Sequence, residues 1–401
     1  MIAPRGGGDT KPKMWLLLAL CVSGTLSLHI FVPALPAAAR DLGVSGGTIQ
    51  LTLTLYLIGL AGGQLLYGPL SDSIGRRPAL LAGLALYAAG SLACAAAPGV
   101  GSLIGARIVQ AIGGCSGLVL GRAILRDVSS PREAAAKLAL LNLFQSIAPA
   151  SAPLAGGLLA TFLGWRAIFL LLAAVGIVTL VATLRSLPET NPGRGGGGGF
   201  GAMLRSYVRL LSLAEFRALA IGGACSTTCF FAFLSAAPFI FTDLLHRPPA
   251  QIGFYFVIPI LGYSIGSFIA NRLVRRVDPM RLMLATSAIA TTGAAIFMAL
   301  YLTGQLTVVT VLASILVFTI GSGTVSPLAL SSAISVQPGM IGAAAGLYGF
   351  CQMGYGAICT LIVSQFHTDP AEGAAVVLLG STATGLVALA IGARGMRRGK
   401  A

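Results

Sequence analysis

The chain of 401 residues is 56% hydrophobic and only 9% charged, where a soluble domain carries about 25% charged residues. That excludes a water-soluble enzyme or binding module and leaves a polytopic membrane protein, helical because its apolar runs are far longer than barrel strands and lipid offers no partner to an open strand edge. The net charge of +15 does not indicate nucleic acid here. Except for Arg40, Arg166, Arg247 and Arg107, every Lys and Arg falls in the tails, in alternate loops or at helix ends on one side. This positive-inside pattern puts both termini in the cytoplasm and makes the number of spans even.

In chain order, Met1 to Lys13 is a short basic tail. The apolar run behind it has no clean small-residue cleavage site before Pro33 and Pro36, so it is expected to be a retained first span near 14–36. Further spans are predicted near 48–70, 79–97, 101–123, 135–160 and 166–186. A break over 187–217 carries Pro188, Pro192, a glycine run, four arginines and an amphipathic stretch from Met203 to Leu213, and reads as a flexible basic linker with an interfacial turn. Beyond it spans are predicted near 218–242, 251–273, 281–302, 305–328, 338–364 and 373–394. The expected architecture is all-α, with twelve transmembrane helices in two six-helix bundles: 1–186, the linker 187–217, and 218–401. The seven cysteines all lie in apolar segments and read as small buried hydrophobes.

Between the second and third spans stands GPLSDSIGRR, with Gly68 and Gly75 for a tight backbone and Asp72, Arg76 and Arg77 at the helix ends. This GxLxDxxGRR run resembles the loop signature of the major facilitator superfamily. In the second half, Ser267, Ile269, Asn271, Arg275 and Arg276 repeat the offsets of Gly68, Leu70, Asp72, Arg76 and Arg77, a degraded copy that supports two parallel repeats. With Asp127 at the end of the fourth span, Asp72 and Arg76 form either a charge relay or simple interfacial anchors. The resemblance implies the relay, as a latch of the outward-facing state.

Three further stretches sharpen the resemblance. Arg107, Gln110 and Gly113 in LIGARIVQAIGG resemble the fourth-helix motif of facilitator antiporters, whose arginine lines the central cavity; a snorkelling arginine is the alternative. SIAPASAPLAGG places Pro149, Pro153, Gly156 and Gly157 in the fifth span and resembles the antiporter signature GPxxGG, which favours export over uptake; a proline-bent helix in a uniporter is the alternative. VPALP in the first span, together with QLTLTLYLIGLAGGQLLYGPLSD, FLSAAPFIF and GAAAGLYGFCQMGYGAI, resembles the Bcr/CflA drug-resistance group. That group has an aspartate where this chain has His29, and none of the eleven acidic residues falls in the middle of a predicted span.

Histidine titrates near neutral pH, so His29 either replaces the aspartate as the proton-coupling site or serves as a neutral hydrogen-bonding group. Asp41 is the less favoured stand-in. The cavity expected from the resemblance includes His29, Tyr56, Arg107, Gln110, Asn142, Phe231, Tyr348 and Gln352. No nucleophile triad, phosphate-cradling loop or ATPase motif is present in the sequence. The expectation is therefore a monomeric exporter of small amphipathic compounds, driven by protons in the bacterial cytoplasmic membrane, with no cofactor and no nucleic-acid partner. A metabolite exporter or uniporter without proton coupling is the alternative. A receptor or scaffold that kept the fold and lost transport is the reading from another class.

Overall fold

A computed structural model describes residues 12–191, 199–366 and 368–398. Among the described residues, eleven helices are long and apolar enough to cross a membrane. The helix Pro131–Leu163, 33 residues long, takes the place of the fifth span between them. The order is Met14–Asp41, Gly46–Ile74, Arg76–Ala95, Val100–Asp127, Pro131–Leu163 and Trp165–Ser186, then Ala214–Leu244, Gln251–Leu273, Pro279–Leu302, Val308–Ser335, Ile341–Gln365 and Pro370–Gly395. Large apolar side chains such as Phe162, Phe268 and Leu302 stand on the outside, where a soluble protein would place charge and a membrane protein meets acyl chains. The seventh span opens at Ala214, before the expected 218, because Glu215 fits the first turn of a helix.

Two spans are bent where the sequence forces it. Pro33 and Pro36 break the first into a helix, a tight turn over Val32–Ala34 and a second short helix. Pro238 lies inside the seventh span, which ends in a wide π turn over Ile240–Leu244. The linker helix Gly199–Ser212 packs on the basic ends of the second, seventh and eleventh spans, burying Tyr207 and Leu210 while Arg205 and Arg209 stay exposed.

The packing of the first six spans repeats in the last six. The fourth span packs on the first, second and third, and the tenth on the seventh, eighth and ninth; the third packs on the sixth as the ninth does on the twelfth. The halves meet through the second span against the eleventh and the fifth against the eighth, pairs that exchange under a twofold rotation. Glycine contacts fix the register of the repeat. Gly59 lies against Ile108 and Ala111, and Gly262 lies against Leu316 and Thr319; Gly90 meets the backbone of Gln110, and Gly293 that of Phe318.

This register overturns the sequence-based alignment of the repeated loop. Gly68 and Asp72 correspond to Asn271 and Arg275 rather than to Ser267 and Asn271, and Gly75 corresponds to Asp278, each being the residue that precedes the third helix of its half. The expected alignment was one helical turn out, a slip that keeps every residue on the same helix face. The loop itself is also shorter than expected: the second span runs through Gly68 and Pro69 to Ile74, and the third begins at Arg76. Gly75 alone makes the turn, at φ 102°, where a Cβ is strongly disfavoured.

Candidate functional site

At the interface of the halves lies a cavity of about 260 Å³. The first half contributes His29, Gln145 and Pro153, and the second contributes the rest, chiefly Thr227, Thr228, Phe230, Phe231, Phe256, Tyr263 and Gln352. Its walls are aromatic and hydroxyl-bearing, with His29 the lone basic side chain among the lining residues. His29 Nδ1 sits 2.8 Å from the carbonyl of Thr25 one turn earlier. A carbonyl only accepts, so Nδ1 carries the proton and Nε2 is the nitrogen free to take another. The ring lies 6.3 Å from that of Phe231 across the interface. Gln352 donates to Thr227 Oγ1 at 3.2 Å and to Tyr348 Oη at 3.4 Å, so Tyr348, itself fully buried, supports the lining from behind.

Arg107 is elsewhere. It is fully buried inside the first half and is not among the lining residues of this cavity, which corrects the expectation that it faces the cargo. Its guanidinium lies 3.9 Å from the centre of the Tyr56 ring, with Phe31 and Phe169 at 5.5 and 5.7 Å. Nη1 donates to Ser27 O at 3.1 Å and to Gln110 Oε1 at 2.7 Å. Gln110 in turn donates to Ser91 Oγ at 2.8 Å, and Tyr56 to Gly24 O at 2.7 Å. Among the described residues no carboxylate joins this cage, so ring faces and neutral oxygens carry the charge. Tyr56 and Gln110 therefore hold Arg107 instead of lining the cavity. Asn142 and Pro149 are helical, and their side chains lie outside the described residues.

The two remaining residues of the fifth-span motif are contacts. Gly156 lies against the carbonyl of Ile30, and Gly157 faces Gly253 and Pro33, so the fifth span seats against the first and the eighth. This is the end opposite the basic loops, and the halves are pressed together there: Gln50 donates to Ser235 O at 3.2 Å, and the hydroxyls of Thr54 and Thr360 are 2.9 Å apart. Asp41 is occupied by Arg166 and by Trp165 Nε1 at 3.0 Å, away from the cavity.

At the basic end Arg76 reaches Asp72 at 2.7 Å and Asp127 at 3.3 Å. Arg77 donates from Nη2 to Leu184 O at 2.9 Å. Glu189, which sequence reasoning passed over, accepts from the backbone amides of Arg76 at 2.9 Å and Arg77 at 3.2 Å. It thereby satisfies the open amides at the start of the third span. Burial pushes its carboxyl up, but the amides of Asn191, Arg76, Arg77 and Thr190 outweigh it and hold the group below the usual carboxylate value. Beside this cluster a second cavity of about 460 Å³ opens between the second, fourth and eleventh spans and the linker helix. Gly68, Asp72 and Arg76 belong to its wall.

The comparisons with known proteins agree with this geometry. The Major Facilitator Superfamily profile matches residues 16–360. The MFS-type transporter YdgK of Bacillus subtilis (strain 168) is 32% identical over 93% of both chains. Multidrug resistance protein D of Escherichia coli (strain K12) is 30% identical, over 87% of this chain and 88% of its own. Among solved structures, the nucleoside transporter NupG superposes with a TM-score of 0.72 over 95% of this chain and 98% of its own at 11% identity, a likeness of fold alone. Eleven apolar helices and the helix Pro131–Leu163 among the described residues, arranged as two rotated sets of six with a cavity between them, together with the profile match make this chain a membrane transporter of the major facilitator superfamily.

Proposed function

We propose that the protein exports small amphipathic compounds, drugs or related metabolites, across the bacterial cytoplasmic membrane in exchange for protons, by alternating access and with both termini in the cytoplasm. The observation that carries this reading is His29: a titratable side chain that lines the aromatic cavity between the halves, with Nε2 free to accept a proton. The relatives named for multidrug and bicyclomycin resistance support export of such compounds. With Arg107 enclosed elsewhere, the lining suits the apolar body of a cargo that stacks on Phe230 and Phe231 and hydrogen-bonds to Thr227 and Gln352.

In this mechanism a proton arriving at His29 makes an imidazolium beside Phe231, where cargo would otherwise lie. Proton and cargo then compete for one cavity, and each promotes the rocking that releases the other. The Asp72–Arg76–Asp127 cluster holds the first half rigid at its basic end while the second half moves.

The test is pH-gradient-driven export in everted vesicles with and without an uncoupler. His29→Ala is expected to abolish the dependence on the gradient while cargo still binds; gradient-driven export that survives the substitution overturns the coupling role. One observation favours the uncoupled alternative: no carboxylate is among the residues lining the cavity. Wild-type transport insensitive to the uncoupler would select it.

A further inference from the structure

The cavity at the basic end is not explained by the mechanism above. Its wall carries three guanidinium groups, Arg76, Arg122 and Arg126, against one carboxylate, Asp72. Arg76 is already tied to Asp72 and Asp127. Arg122 and Arg126 are one helical turn apart on the fourth span, so they share a face and repel each other. Neither has a carboxylate partner among the described residues. Arg122 donates from Nη2 to Gln145 Oε1 at 2.5 Å, yet its Nε is buried with no hydrogen-bond partner. A buried, unpaired donor is unfavourable by about 1–3 kcal/mol, so a ligand acceptor that reaches it is favoured. The rest of the wall includes Leu118, Val119, Met203 and Ala343, surface suited to an apolar body.

Gln145 links the two cavities. Its carbonyl accepts from Arg122 in the basic-end cavity, its amide donates to Cys21 O at 3.2 Å, and its side chain lines the central cavity. We propose that the basic-end cavity binds the anionic head of an amphiphile between Arg122 and Arg126, and that the Arg122–Gln145 hydrogen bond is the partition this ligand opens toward the central cavity. The head is a carboxylate, sulfonate or phosphate, brought either by cargo or by an acidic lipid. As a cargo site the assignment rests on the export reading; as a binding site it does not. The second half has no counterpart, because the same places on the tenth span hold Leu330 and Ile334.

The test is equilibrium binding to the purified full chain in phosphatidylcholine nanodiscs, with no gradient imposed. Two fluorescent probes are compared: anilinonaphthalene sulfonate, an anionic amphiphile, and phenylnaphthylamine, its uncharged analogue. Arg122→Gln and Arg126→Gln are each expected to weaken the sulfonate at least roughly tenfold, the loss of one hydrogen bond to a charged group, and to leave the neutral probe unchanged. Arg122→Lys, which keeps charge but loses the fork, is expected to fall between. Retained binding of the neutral probe shows that a variant is folded. Equal loss of both probes, or no loss of either, overturns the site.

Phosphatidylglycerol added to the nanodiscs separates the two sources. If it displaces the sulfonate from the wild type and not from Arg122→Gln, the ligand is a lipid head; if it leaves wild-type binding intact, the site belongs to cargo. Failure of the export reading shows separately, as wild-type vesicles that do not transport.

Discussion

The two halves share a backbone and differ in chemistry. In register, Arg107 corresponds to Ile315, Gln110 to Phe318, Arg122 to Leu330 and Arg126 to Ile334. Arg107, Gln110, Ile315 and Phe318 are all fully buried, so the same site in the same helix packing is a caged cation in one half and plain hydrocarbon in the other. The second half instead supplies most of the cavity lining, including Phe230, Phe231, Phe256 and Tyr263. The glycines that let spans pack backbone to backbone recur in both halves, whereas the charges do not. Close packing is what the architecture requires, and the polar groups are additions that one half carries.

Ile315 shows that the scaffold does not need the cation, and this sets the first prediction. Arg107→Ala leaves a void and frees Gln110 and the Ser27 carbonyl, and should destabilise the protein by about 3 kcal/mol. Arg107→Ile with Gln110→Phe copies Ile315 and Phe318 of the second half, removes the buried charge, and should leave stability level or raised. The buried cysteines provide the stability readout, through a thiol-reactive dye followed on heating. If the double substitution melts as early as Arg107→Ala, the cage is structural and the comparison fails.

The loops give the next two predictions. Gly75→Ala places a Cβ at φ 102° and against Glu189 Oε2, and should lose about 2 kcal/mol. Glu189→Gln keeps the shape but weakens the acceptor for the backbone amides of Arg76, Arg77 and Asn191, for a loss of about 1 kcal/mol at neutral pH. Because the folded-state value of Glu189 is depressed, its contribution is complete above the ordinary 4.5 and fades as pH falls through the lowered value. Melting temperatures measured across that acid range should converge for wild type and Glu189→Gln; a gap that persists at the acid end assigns the effect to something other than the carboxylate.

Much of this was legible in the sequence because lipid imposes length and apolarity on every span, and Gly75 announces its turn. Hydropathy gives depth, however, and not rotation about the helix axis. Arg107 was therefore placed within a span but assigned to the wrong face, while His29 in the first span does line the cavity. Register failed for the same reason, since a one-turn slip hides Asp278 as the counterpart of Gly75. Glu189 gave no local signal at all: its partners Arg76 and Arg77 lie more than a hundred residues earlier in the chain, and only folding brings a linker carboxylate to the start of the third span.

The smallest expected effect tests the equivalence of the two turns most directly. Asp278 precedes the ninth span with ordinary extended backbone at φ −53°, and its side chain accepts from the amide of Arg281 at 2.9 Å. This is helix capping by a side chain, where the first half uses a glycine turn and a distant glutamate. Asp278→Ala should lose about 1 kcal/mol and Asp278→Gly only a few tenths, because glycine leaves the cap amides open to water. Gly75→Asp, the reverse exchange, should be as damaging as Gly75→Ala or worse, since aspartate adds a charge beside Glu189. The turns are then interchangeable in one direction only. A large loss from Asp278→Gly in the same melting assay would mean that the second half relies on its loop as strictly as the first.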